Sequence, residues 1–256
     1  MTQESRIAVI TGGSSGIGTE VARYMASKGW DVAITFAGNA KGAQDTVAAI
    51  TELGQRAFMK KCDVGFKQEV DAFFDDVVQA LGVPDLLVNN AGVQTWSPFL
   101  ELSEDDWDRT IRTNVKGYFL CTQKYARMLV EKQRSGSVVM IGSGCNKVPF
   151  PNLVDYTVSK GGIENLTKIA ATELGPYKIR VNCVAPGAIE IARTREESPE
   201  YATTWGNLAP LRRVGNSLDI AKAIEYFGSD NSDYVTGQTL YVDGGVFSMP
   251  NWPYEN

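Results

Sequence analysis

The sequence predicts an α/β protein: one doubly wound parallel sheet flanked by helices, built by a single domain over residues 1–256. Three observations predict it. Short runs rich in β-branched residues alternate with longer helix-like stretches over the whole chain. The runs are nearly all apolar, as strands covered on both faces must be. A glycine cluster, TGGSSGIG at 11–18, directly follows the first run and opens the first helical stretch.

The strand-like runs are RIAVI (6–10), DVAITF (31–36), DLLVNN (85–90), GSVVMI (136–141), KIRVNCVA (178–185) and TLYVD (239–243). Helical segments are expected near 17–28, 40–53, 66–81, 103–133, 156–174 and 217–228. Two carry readable starts. Ser103 precedes EDDW, with acidic residues in the first turn to meet the positive end of the helix dipole. Ser217 precedes LDIAKAIEYF. There is no internal repeat, low-complexity tract or linker. One long irregular piece, 187–214, reads as a substrate loop or lid, because loops of that length in compact domains serve as covers or binding segments. The aromatic tail at 247–256, with Trp252 and Tyr254, is suited to cover a pocket or pack on a neighbouring subunit.

Composition removes whole classes of chemistry. The chain has no histidine, which excludes Cys/His zinc sites and Ser-His-Asp or Cys-His nucleophilic catalysis; no metal site is expected. The net charge of −5 argues against a nucleic-acid or anionic-membrane partner. No apolar stretch approaches the roughly 18 residues of a membrane span, and the start lacks a secretory signal pattern. Cys62, Cys121, Cys145 and Cys183 are far apart in sequence and read as free thiols in a reducing cytoplasm.

The glycine cluster has a physical purpose. Gly12, Gly16 and Gly18 let the backbone turn sharply and come close to a ligand. The N–H groups and dipole of the following helix attract a pyrophosphate, and Ser14 and Ser15 add hydroxyls. The spacing is G-x-x-x-G-x-G rather than the commoner G-x-G-x-x-G, but its place between first strand and first helix points to a dinucleotide. Further on, DYTVSKGG (155–162) sets Tyr156 four residues, one helical turn, before Lys160. With no histidine, Tyr156 is the candidate acid/base. Bringing a free phenol from about 10 to neutrality takes about 4 kcal/mol. A cation at ~4 Å in a partly buried site supplies about that much. Lys160 in a dry site is therefore the expected source of that field.

TGGSSGIG, NNAG (89–92), Tyr156-x-x-x-Lys160 and Pro186-Gly187 stand in the order seen in short-chain dehydrogenases/reductases, and the chain resembles that family over nearly its whole length. The resemblance implies a Rossmann fold with seven parallel strands, a nicotinamide coenzyme and a homotetramer. It implies Ser143, Tyr156, Lys160 and Asn114 as the catalytic set, with Asn114 holding a water in the proton relay from the lysine. A local bend is the plainer account of an asparagine inside a helix. The resemblance also implies Asp63 and Val64, after the third strand, against the adenine. Asn90, Ala91 and Gly92 fall under the ribose, and Ile17 lies in the cradle. Pro186, Gly187 and Ile189 lie against the nicotinamide. Ser143, Cys145 and Tyr156 face the substrate. The chain departs from the family where P-G-x-I-x-T is usual: Ile191 stands at the threonine position, with Thr194 three further on.

At the end of the second strand, Phe36, Ala37, Gly38 and Asn39 contain no acid to repel a 2′-phosphate and no arginine to hold one. Ser15, Asn39 and Lys41 could hold it weakly, so NADP(H) is favoured over NAD(H). KVPFPNLVDYTVSKGG and APGAIE resemble bacterial glucose 1-dehydrogenases, which suggests a sugar, polyol or secondary alcohol as the small-molecule substrate. The alternative is a 3-oxoacyl thioester reductase. That would need a basic surface for an acidic carrier, with Arg109, Arg112, Lys116, Lys124, Arg127, Lys132 and Arg134 as candidates. A catalytically inactive nucleotide sensor is the remote third.

Overall fold

The computed structural model describes residues 6–248. In chain order the strands and helices are β1 Ile7–Ile10, α1 Gly16–Ser27, β2 Asp31–Phe36, α2 Ala40–Glu52, β3 Ala57–Lys61, α3 Lys67–Ala80 and β4 Leu86–Asn89. Then follow α4 Glu104–Ile111, α5 Gly117–Glu131, β5 Gly136–Ile141, α6 Val154–Leu174, β6 Ile179–Pro186 and β7 Ile189–Glu190. The chain continues through α7 Ala192–Glu197, α8 Tyr201–Leu208, β8 Gly215–Asn216, α9 Ser217–Gly228 and β9 Thr239–Val242. Seven strands form one parallel sheet in the order β3-β2-β1-β4-β5-β6-β9, and β7 pairs with β8 separately.

Alternation along each strand feeds two apolar layers. Val9, Leu87, Val138, Met140 and Val181 point to one face, where α3, α5 and α6 cover them. Ala8, Ile10, Val88, Val139 and Val184 point to the other, under α1, α2 and α9. This is why the runs read as continuously apolar. β3 escaped that reading because it is an edge strand: AFMKK is half-buried and ends in two lysines. The resemblance, not the pattern, supplied the seventh strand.

The expected helix over 103–133 is interrupted. α4 and α5 are separated by a π-helical turn, Arg112–Lys116, which contains Asn114. Such insertions leave the regular hydrogen-bond ladder and favour functional sites. Ser103 does cap α4, accepting from the Asp106 N–H at 3.1 Å. α9 starts at Ser217 as expected, but its cap lies one residue earlier. Asn216 is the cap, and it and Asp219 satisfy each other's backbone N–H groups at 3.1 and 2.9 Å. The excursion at 187–214 is largely ordered as β7, α7 and α8. Trp252 and Tyr254 lie outside the described residues.

The strand order reverses between β1 and β4, and the loops beyond their carboxyl ends part there into a crevice. Both the glycine cluster and Asn90–Gly92 open into it.

Candidate active site

The crevice is a groove of about 570 Å3. Its floor is fixed by a polar clasp between the β1 and β4 loops. The buried Thr11 hydroxyl accepts from the Asn90 and Ala91 N–H groups at 2.9 and 3.0 Å. The Asn90 amide donates back to the Thr11 and Gly12 carbonyls at 2.9 and 3.1 Å. Thr35 on β2 receives the Gly12 N–H at 3.0 Å. The loop passes so close that a Cβ on Gly18 would stand 2.2 Å from the Gly12 carbonyl oxygen. Gly12 and Gly16 adopt φ of +67° and +54°, where a side chain is strained.

The end of α1 that faces the groove is left open for an anion. Ser15 is its N-cap residue, yet its side chain makes no capping bond, and no acidic residue stands in the first turn. Unpaired helix N–H groups at the mouth of a groove fit a pyrophosphate.

Gly12, Ser14, Ser15, Gly16, Ile17 and Gly18 line the groove as the sequence indicated, with Ala37, Asn39, Asp63, Val64, Asn90, Ala91 and Gly92. Phe36 does not: its ring packs in the apolar layer, and its neighbour Thr35 faces the groove instead. Pro186, Gly187 and Ile189 line an adjoining pocket rather than the groove. Two of the side chains expected to hold a phosphate weakly near β2 already have protein partners. The Asn39 side chain is engaged with the Ser14 carbonyl at 2.9 Å and the Gly42 N–H at 2.9 Å. Lys41 pairs with Asp45. Neither Thr11 nor Arg193, which also faces the groove, was singled out from sequence. Thr11 was readable as the threonine that opens TGGSSGIG.

The adjoining pocket, about 230 Å3, holds Ser143, Cys145 and Tyr156 together. β5 delivers Ser143 and α6 delivers Tyr156. The Ser143 hydroxyl accepts the Cys145 N–H at 3.3 Å and lies close enough to Tyr156 to act on its phenol. Behind them Lys160 is 3% exposed. Its ammonium donates to the Ile141 carbonyl at 2.7 Å and lies 5.3 Å from the Tyr156 ring centre. Thr194 meets the departure at Ile191 in a local way: its hydroxyl accepts the Ile191 N–H at 2.9 Å, while Ile191 itself lines both cavities.

Asn114 is fully buried, and its side chain is spent on protein partners. It accepts the Val93 N–H at 2.8 Å and donates to the Val93 carbonyl at 2.8 Å and to Ser159 Oγ at 2.9 Å. Ser159 in turn donates to the Tyr156 carbonyl at 2.7 Å. The asparagine thus clasps the β4 loop to the catalytic helix. A second clasp was not foreseen. Buried Asp155 accepts the Tyr156 N–H at 2.6 Å and the Thr110 hydroxyl at 2.6 Å, fastening the start of α6 to α4. Its one sequence signal was an acid in the first turn of a helix.

Burial changes the expected electrostatics. It pushes the Tyr156 phenol up to about 12, helped by nearby Cys145 and opposed by the Ser143 hydrogen bond and Arg193. It pulls Lys160 down to about 8. A dry site was expected to let Lys160 acidify the tyrosine. Dryness instead penalises the charged form of both groups, and loss of hydration is the largest influence on each.

A family model described as enoyl-(acyl carrier protein) reductase matches residues 12–247. The 3-oxoacyl acyl-carrier-protein reductase FabG of Staphylococcus aureus is 37% identical, over 95% of this chain and 98% of that protein. The crystal structure of acetoin dehydrogenase from Enterobacter cloacae superposes with a TM-score of 0.89 at 33% identity, over 100% of each chain. That of a candidate 2-deoxy-D-gluconate 3-dehydrogenase from Agrobacterium tumefaciens, with bound NADP, has a TM-score of 0.86 at 34% identity, over 96% of this chain and 98% of that one.

The titration order sets a pH dependence. With its phenol near 12, Tyr156 is protonated at neutrality and ready to donate. Chemistry that begins with loss of its proton quickens as pH rises from 7 to 10. Chemistry that uses Tyr156 as an acid fades above about 8, where Lys160 discharges. Initial-rate profiles of kcat/KM in both directions check this; a base-dependent rate that fell over that range would contradict it.

Proposed function

The chain belongs to the short-chain dehydrogenase/reductase family and is an NAD(P)-dependent oxidoreductase. On that premise we propose that it interconverts a secondary alcohol, or a sugar or polyol hydroxyl, with the matching carbonyl. One observation carries the reading: Ser143 and Tyr156 share a pocket wall that adjoins the phosphate-cradling groove, with Lys160 buried behind the phenol.

A nicotinamide coenzyme, when bound, supplies or accepts the hydride. Glycines 12, 16 and 18, Ser15, Asp63 and Asn90 are the residues to hold it, with Ile189 and Pro186 at its reacting end. The chain's own work is the proton. In reduction, Ser143 and Tyr156 hold the substrate oxygen, and Tyr156 gives its proton to the developing alkoxide. Lys160 orients the phenol and places positive charge behind it. Since the Asn114 side chain is committed to Val93 and Ser159, any relay water at this residue rests on the backbone of the π-turn.

NADP(H) remains the favoured coenzyme, supported by the absence of an acid at Phe36–Asn39. With Asn39 and Lys41 engaged elsewhere, the preference should be modest. The thioester reading is supported by likeness to FabG, but three of its seven candidate cations are paired with acids. Arg109 pairs with Asp106, Lys124 with Asp75 and Arg134 with Asp85, and Arg112 lies over the Phe66 ring. A small pocket also favours a small substrate. Homotetramer assembly is supported by an apolar groove between α5 and α6, where Phe119, Val130, Ile169 and Tyr177 are exposed. A cytoplasmic location is supported by four free, buried cysteines. Among the described residues no helix is long and apolar enough to cross a membrane.

Three measurements test these points. Tyr156→Phe should keep coenzyme binding and lose turnover by about 10²–10⁴-fold; near wild-type turnover on the best substrate from a panel of sugars, polyols, ketones and acyl thioesters would sink the mechanism. Ala37→Arg adds the missing cation and should raise the NADP(H)/NAD(H) ratio of kcat/KM by about tenfold or more, the worth of one charge-assisted contact. Ile169→Glu should shift the mass measured by light scattering from tetramer to a smaller species; a wild-type monomer would refute the assembly.

A further inference from the structure

The pocket beside Tyr156 combines aromatic and charged groups. Phe150, Tyr201 and Trp205 form an aromatic wall, with Phe150 and Trp205 ring centres 5.7 Å apart and Tyr201 and Trp205 6.3 Å apart. Gln94, Arg193 and Glu197 line the same pocket, and the two charged groups act on the Tyr201 phenol. Arg193 is the one cation among the described residues lining either the groove or the pocket, and it faces both.

The guanidinium is underused. One terminal nitrogen donates to Gln94 Oε1 at 3.4 Å, and Nε lies 3.5 Å from a Glu197 carboxylate oxygen. Both contacts are long, and the second terminal nitrogen has no protein partner among the described residues. Arginine carries five N–H donors in a fork that matches a carboxylate in two parallel bonds. Gln94 reaches in from the loop after β4, 99 positions away in sequence, and places an amide beside that fork. The aromatic wall presents mostly apolar ring surface, which suits a carbon skeleton. The cavity corresponds to roughly eight waters' share of liquid volume, so the molecule it takes is short.

We propose that Arg193 and Gln94 form a carboxylate subsite, making the preferred substrates short hydroxy acids and their oxo counterparts, with the carboxylate on Arg193 and the reacting oxygen on Ser143 and Tyr156. This rests on the alcohol–carbonyl reading above and narrows its substrate. Glu197 stays on the Nε edge of the fork, leaving the terminal nitrogens to the ligand. A neutral sugar would leave the terminal nitrogens without an anion in addition to Glu197, and a bulky thioester would exceed the cavity.

The test uses matched pairs: 3-hydroxybutyrate against its methyl ester, and gluconate against sorbitol. Wild type should prefer the acid of each pair by tenfold or more in kcat/KM. Arg193→Met should cut that ratio at least tenfold, chiefly through KM of the acid, and Arg193→Lys, which keeps charge without the fork, should restore part of it. Preference for the neutral member, or equal losses on both, overturns the proposal. Binding is read separately, by quenching of tryptophan fluorescence with malonate against malonamide. Malonate-specific quenching that Arg193→Met weakens tenfold supports the subsite, and quenching indifferent to the variant overturns it. Arg193-dependent malonate binding without turnover of any alcohol or carbonyl would instead defeat the functional reading and leave the subsite standing.

Discussion

The site depends on one buried contact, the Lys160 ammonium on the Ile141 carbonyl at 2.7 Å. It joins α6 to the end of β5, two residues before Ser143. Because strand and helix are locked there, a serine and a tyrosine 13 positions apart in sequence face the same pocket. A lysine without a carboxylate partner is costly to bury, and its lowered pKa records that cost. The other clasps share the load: Asn114 through Ser159, and Asp155 through Thr110, hold the same turn of α6 to the β4 loop and to α4. Tyr156 is therefore placed by its helix, which is held from three sides.

The same burial explains the electrostatics. A phenol near 12 beside a lysine near 8 is a protein that holds its proton and awaits positive charge. The neighbouring groove is built for the opposite charge: its glycines admit a close approach, and the uncapped α1 terminus and Arg193 at the seam between groove and pocket favour an anion.

Much of the site was legible because it lies in local patterns. The glycine cluster is bound to its place between strand and helix, and a Tyr–Lys spacing of four is bound to one helix face. Phe36 misled because strand alternation turns it away from the groove and turns Thr35 toward it. Asn39 lines the groove as expected but also caps α2, and Lys41 pairs with Asp45 one turn on. The basic residues of 103–134 read as a surface patch until their acidic partners, distant in sequence at Asp75 and Asp85, came beside them.

By itself the sequence determined the sheet, six of its seven strands and the glycine turn after β1, and it singled out Tyr156 as the candidate for handling a proton. These follow from periodicity, backbone freedom and the absence of histidine, all properties of adjacent residues. The edge strand β3, the π-turn at Asn114, the Asp155–Thr110 clasp and the meeting of Arg193 with Gln94 were decided by tertiary structure. Each joins groups tens of residues apart, or depends on which face is covered. Chain-local spacing carries no information about partners that only the folded sheet and its loops bring within hydrogen-bonding distance.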